Sequence, residues 1–163
     1  MICGTAGEVV YYGHGKLGIS GHERSFDQIF LVLGGRGLTL QFSLIARAVL
    51  VVEDELGVRG ADANESESDK ITHDDLDQLT RLTKDRLQVS RVLVHPSDSW
   101  DGPEGHGNKL IVQKCLITPQ GLENSISLCN PPALPKEVAV PTFTTWNMSK
   151  GKLIWAVMKM NRR

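Results

Sequence analysis

The chain has 163 residues, 40% of them hydrophobic, enough to bury one sizeable core but marginal for two, so a single domain over 1–163 is expected. Eighteen basic residues against 19 acidic ones argue against a protein that holds naked nucleic acid by charge neutralisation, and no direct sequence-specific nucleic-acid binding is expected. The longest apolar stretches, near Leu44 to Val52 and Leu153 to Val157, fall short of the roughly 20 residues that a membrane-spanning helix needs.

Glycines divide residues 1–37 into short apolar pieces, Val9-Val10-Tyr11-Tyr12 and Ile29-Phe30-Leu31-Val32-Leu33, which read as strands joined by turns. Leu38, Leu40, Phe42 and Leu44 then alternate with Thr39, Gln41 and Ser43, the period of two of a half-buried strand. That strand is expected to run on, after a bend near Ala46-Arg47, into a doubly covered stretch from Ala48 to Val52. Between Glu53 and Lys70 there are seven acidic residues and two basic ones, which predicts a mobile acidic loop over about 53–70.

Thr72 with Asp75 makes a helix cap, and Ile71 with Leu76 a hydrophobic staple, so a helix is expected from about His73 to Leu87. Its stripe of Leu76, Leu79, Leu82 and Leu87 suits a helix lying on a sheet. A strand at Arg91 to Val94 leads into an irregular loop from His95 to Asn108. Strand-like pieces follow at Leu110 to Ile117, Ile126 to Leu128, Val138 to Thr144 and Lys152 to Met160. Turn signals separate them, and the predicted fold class is α+β, a mostly antiparallel β-sheet with one main helix packed on it.

Few residues point to chemistry. Gly13-His14-Gly15-Lys16-Leu17-Gly18 matches G-x-G-x-x-G, but Ile19-Ser20-Gly21-His22 does not continue as a helix, so it reads as a glycine-rich turn. Gly34-Gly35-Arg36-Gly37 resembles a phosphate cradle, yet it lacks the Gly-Lys-Ser/Thr ending and is expected to lead into a strand, which makes it a hairpin turn. His95, Asp98, Asp101, Glu104 and His106 carry the imidazole and carboxylate groups that activate water or hold divalent metals. A small metal-dependent hydrolase or nuclease using His95, Asp98, Asp101 and His106 is therefore one alternative, although the spacing matches no zinc-protease pattern and the prolines and glycines suit a plain loop.

Ser25 and Ser90 lack a nucleophile-elbow context. Cys3, Cys115 and Cys129 contain no Cys-x-x-Cys pair and read as reduced and unligated. No cofactor and no resident metal are expected. The start Met1-Ile2-Cys3-Gly4 has no basic stretch followed by an apolar one, so the expected setting is cytoplasmic and not secreted.

The last 14 residues hold Lys150, Lys152, Lys159, Arg162 and Arg163 without an acidic residue, a surface suited to phosphate or anionic lipid. Trp146 and Trp100 are candidate interface anchors, Trp100 more so because Ser99 and Asp101 flank it.

Gln113-Lys114-Cys115-Leu116-Ile117-Thr118-Pro119-Gln120-Gly121, Asn130-Pro131-Pro132-Ala133-Leu134-Pro135, Pro141-Thr142-Phe143 and Lys150-Gly151-Lys152-Leu153-Ile154-Trp155-Ala156-Val157-Met158 follow one another in an order and spacing that resembles the central part of rhabdovirus matrix proteins. The basic arm and the Pro-Pro-x-Tyr motif of that family are missing, so a short plant-infecting type would fit best. The resemblance implies a non-enzymatic viral structural protein that self-associates, contacts nucleocapsid protein and meets anionic membrane, in the virion and the host cytoplasm. A soluble protein-binding or ligand-binding module is the other alternative, since both need only exposed patches.

Overall fold

The computed structural model describes residues 9–19, 21–35, 37–51, 53–69, 73–105, 109–116, 124–129 and 153–155. β1 (Val9–Gly13), β2 (Lys16–Ile19) and β3 (His22–Ser25) form an antiparallel sheet in chain order. Gly13, His14 and Gly15 turn between the first two strands at φ of 102°, 49° and 70°, the left-handed region that glycine enters without penalty. A Cβ on Gly15 would fall 2.2 Å from the Phe26 carbonyl oxygen. Phe26 in turn donates its amide to the Gly15 carbonyl at 2.8 Å, so this turn closes directly on the start of the next strand.

The second sheet is parallel. β4 (Gln28–Gly34), β5 (Gly57–Asn64), β6 (Leu87–Leu93), β7 (Asn124–Cys129) and β8 (Leu153–Trp155) stand in the order β6-β5-β4-β7-β8. α1 (Gly37–Leu50) links β4 to β5, α2 (His73–Thr83) links β5 to β6, and α3 (Lys109–Cys115) follows β6. Parallel neighbours need such crossovers, and helices then cover both faces. β4 accordingly buries residues on both sides, Ile29, Leu31 and Leu33 on one and Phe30 and Val32 on the other. The first set packs with Leu38, Ile45 and Val49 of α1 and Leu76 and Leu79 of α2 in one core. On the opposite face the Ser90 hydroxyl reaches the Cys115 carbonyl of α3 at 3.4 Å.

This architecture corrects the expected fold class: two sheets, the larger one parallel, replace one mostly antiparallel sheet with a single main helix. The clearest predicted strand, Leu38 to Leu44, is the first half of α1. Leu38, Gln41, Leu44, Ile45, Ala48 and Val49 are among its buried residues, a three-and-four spacing that the alternation of leucines conceals. Gly34 to Gly37 is consequently a strand-to-helix turn and not a hairpin.

Residues 53–70 contain β5, in which Val58, Gly60, Ala61, Asp62 and Asn64 are buried. Side-chain hydrogen bonds make that polar segment compatible with a sheet interior. Leu110 to Ile117, read as a strand, is largely α3. The predicted helix from His73 is present but ends at Thr83, and a 3₁₀ turn, Lys84–Arg86, carries the chain into β6. The expected strand at Val138 to Thr144 lies outside the described residues.

Two contacts knit the layers. The Arg86 guanidinium donates to the carbonyls of Ala48 at 2.6 Å and Val51 at 2.9 Å, satisfying the open C-terminal end of α1. Asp54, before β5, accepts the Tyr11 hydroxyl and the amides of His14 (2.8 Å) and Leu56 (3.0 Å), holding the antiparallel sheet against the parallel one.

Candidate functional site

Chain connections leave β4 in opposite directions, first through β5 to β6 and later to β7 on its other side. Such a reversal opens a crevice beyond the carboxyl ends of the two central strands, where ligands bind in open parallel sheets. Leu33 near the end of β4 lies level with Cys129 at the end of β7.

Gly35 sits at the mouth of this crevice, exposed and at φ 51°. A Cβ built there meets no atom within 4 Å, so the space above the turn is open. The Gly35 amide donates to the Ala63 carbonyl at 3.3 Å, which ties the turn to the end of β5. Directly after it α1 begins, with no acidic residue in its first turn. The positive end of a 14-residue helix makes this turn fit an anionic group such as a pyrophosphate.

Beside it, the ends of β5 and β6 are zipped together. Val94 and His95 donate their amides to the carbonyls of Asn64 (3.1 Å) and Glu65 (2.8 Å). Ser97 donates its amide and hydroxyl to one Glu67 carboxylate oxygen at 3.2 and 2.6 Å. The Glu65 carboxylate is exposed, 3.9 Å from the His95 ring. A carboxylate at this strand end, beyond a strand-glycine-helix turn, is placed to accept hydrogen bonds from a ribose diol.

The residues singled out for metal or hydrolytic chemistry do not converge. His95, Asp98, Asp101 and Glu104 are exposed, and His106 lies outside the described residues. Among the described residues no group of three or more His, Cys, Asp or Glu could hold a metal. Trp100 anchors its own loop: its ring NH donates to the Pro103 carbonyl at 3.3 Å, and Gly102 lies against its ring. Trp146, Lys150, Lys152, Lys159, Arg162 and Arg163 lie outside the described residues, Lys152 immediately before β8. The groove lined by His14, Gly15, Phe26, Asp27, Glu53, Glu55 and Leu56 is at the opposite end of the sheet.

No protein-family model matches the sequence. Known structures decide the fold. The crystal structure of the cytochrome b5 reductase domain of Ulva prolifera nitrate reductase superposes with a TM-score of 0.84 at 22% identity, over 91% of this chain and 57% of that one. The chain has the fold of part of a cytochrome b5 reductase domain.

The same reductase-domain fold relates the chain to the flavohem-like FAD/NAD binding domain of nitric oxide dioxygenase from Vibrio cholerae, with a TM-score of 0.66 at 15% identity, over 94% of this chain and 55% of that one. Among curated proteins, the chain is 32% identical over 146 residues to a nitrate reductase [NADH] of Hordeum vulgare, covering 86% of this chain and 16% of that protein. It is 28% identical over 146 residues to NADH-cytochrome b5 reductase 2 of Danio rerio, covering 86% and 47%. The chain thus spans less than half the length of these curated relatives.

These similarities overturn the rhabdovirus matrix reading, together with its self-association, nucleocapsid and membrane contacts, and leave a virion location without support. The stretch that carried the resemblance confirms the correction locally, since Gln113, Lys114 and Cys115 are helical in α3 where a strand was required. The ligand-binding alternative is the better-supported one. Among the described residues no helix is long and apolar enough to cross a membrane.

The Gly35 turn is not legible in the sequence as a cradle, because Gly34 to Gly37 lacks a Gly-Lys-Ser/Thr ending and the alternating leucines after it imitate a strand where α1 begins.

Proposed function

We propose that this chain is the nicotinamide-nucleotide-binding lobe of a flavin-dependent electron-transfer oxidoreductase. The observation that carries the reading is the open, left-handed Gly35 turn between the buried central strand β4 and the start of α1, at the point where strand order reverses. The start of α1 at Gly37 would hold the pyrophosphate in the space left open over Gly35, and Glu65 would hold the adenosine ribose. With nucleotide bound, the chemistry supplied is hydride delivery to a flavin.

The chain's own residues bind and orient. The Gly35 turn draws the phosphates toward the α1 terminus, and the zipped ends of β5 and β6 limit where the ribose can lie. Glu65, Glu67 and Asp69 make this edge acidic, which opposes a ribose 2′-phosphate and favours NADH over NADPH. Relatives named for NADPH and for NADH both match this chain, so the acidic edge alone carries that preference. The partner in this proposal is a flavin-binding segment or chain, and the setting is cytoplasmic.

Isothermal titration calorimetry of the full chain with NADH, NADPH and ADP-ribose tests the reading. Saturable binding of NADH and ADP-ribose, weaker for NADPH by about tenfold or more, is the expected result. Failure of ADP-ribose and NADH to bind at millimolar concentration would overturn it.

A further inference from the structure

Beneath the acidic edge lies a buried polar cluster that the nucleotide reading does not use. Asp62 on β5 is fully buried and His73, the first residue of α2, is 5% exposed. One Asp62 carboxylate oxygen, Oδ2, contacts His73 Nε2 at 3.2 Å and accepts the Asn64 side-chain amide at 3.0 Å. The other, Oδ1, and His73 Nδ1 are buried without a partner among the described residues.

As a device for holding α2 on the sheet, this is costly. A buried ionisable pair with an orphan atom on each side holds a helix less well than an apolar pair of similar volume. What it provides and leucines would not is direction. It links the start of α2, the side chain of Asn64 and, through the Asn64 carbonyl, the Val94 amide just past β6. Glu65 follows Asn64 immediately, and its carbonyl takes the next amide of the zipper, that of His95. The tether therefore brackets the segment that the nucleotide reading places against the ribose.

We propose that Asp62 and His73 are positioning residues for the adenosine-ribose end of the nucleotide, presetting Asn64 and Glu65 at the end of β5 before ligand arrives; the inference rests on the nucleotide reading above. Binding to a preset edge avoids the ordering cost that a mobile edge would pay. Neither side chain touches ligand in this account, and the effect runs through Asn64 and Glu65.

The deciding variant is the double replacement Asp62→Leu with His73→Leu, which removes the tether and the buried ionisable groups together. It should remain folded, because removing two buried ionisable groups offsets the Asn64 amide left without its acceptor, while ADP-ribose affinity by calorimetry falls about tenfold or more. The amides of Val94 and His95 should exchange faster in the ligand-free variant. His73→Gln, which keeps a side-chain donor near Asp62, should bind ADP-ribose close to wild-type affinity. Wild-type affinity in a folded double variant, or unchanged exchange at Val94 and His95, overturns the positioning role and leaves the nucleotide reading standing. A wild-type chain that ignores ADP-ribose overturns both.

Discussion

Tyr11 and Asp54, 43 positions apart, meet in the interior, where the phenol donates to a carboxylate that is 1% exposed. The contact joins the antiparallel sheet to the turn before β5, and two backbone amides share the same carboxylate. Asp54→Ala would leave three donors without their acceptor and should destabilise the chain by about 3 kcal/mol or more. Tyr11→Phe, which keeps the ring and the two amide contacts, should cost about 1–3 kcal/mol. Urea unfolding of both variants measures the difference.

The same pair predicts an alkaline limit. Burial first, and then the Asp54 hydrogen bond, push the Tyr11 phenol above its ordinary value. A group whose folded pKa is raised stabilises the fold fully below its unfolded pKa and loses that contribution as pH rises toward the folded value. Stability should therefore fall from about pH 10 upward, by at most ~1.4 kcal/mol per pH unit from this group. Tyr11→Phe should flatten that part of the profile, as urea unfolding between neutral and alkaline pH would show.

Asp62 carries the opposite end of the pH profile. Burial raises its carboxyl above the ordinary value, against the charge of His73 and the hydrogen bonds from Asn64 and His73. Its ionisation is thus a burden on the folded state, and its contribution to stability is lost as pH rises from about 4 toward the raised value. Asp62→Asn should remove this component and leave stability at neutral pH unchanged or higher. An Asp62→Asn chain with the wild-type acid profile would contradict this.

Gly35 separates folding from binding. Alanine there meets no atom within 4 Å but must adopt φ near 51°, a cost of about 1–2 kcal/mol. The added methyl projects into the space proposed for the pyrophosphate. Gly35→Ala should therefore fold with a modest loss and bind NADH about tenfold or more weakly. Calorimetry beside urea unfolding distinguishes this from a general loss of structure.

Arg86 tests whether the end of α1 depends on a distant side chain. Its two donors reach Ala48 and Val51 from the 3₁₀ turn that follows α2. Arg86→Ala should cost about 1–3 kcal/mol, and Arg86→Lys should recover only part of it, because a single ammonium does not reproduce the planar fork. Amide exchange in the last turn of α1 reports the local effect.

Much of the local structure was legible in the residues themselves. The Gly13-His14-Gly15 turn follows from glycine's access to positive φ, and the helix at His73 follows from capping and leucine spacing. The strand through Ile29 to Leu33 follows from an unbroken apolar run between turn-forming residues.

Tertiary structure decided the rest, because the deciding partners lie far along the chain. From Leu38 to Val49 apolar residues are so dense that they satisfy a period of two as readily as one of 3.6; packing against β4, β5 and α2 selects the helix. Asp62 and Asn64 look like loop residues until His73 arrives from α2 and the two side chains bond to each other, which makes β5 an interior strand. Strand direction belongs to the same class, since only the crossovers that bring β5 and β7 to either side of β4 create the crevice. Residue identity set which segments turn and which could be buried. Long-range hydrogen bonding and packing settled which of them became the central sheet, and so where Gly35 and Glu65 could form one site.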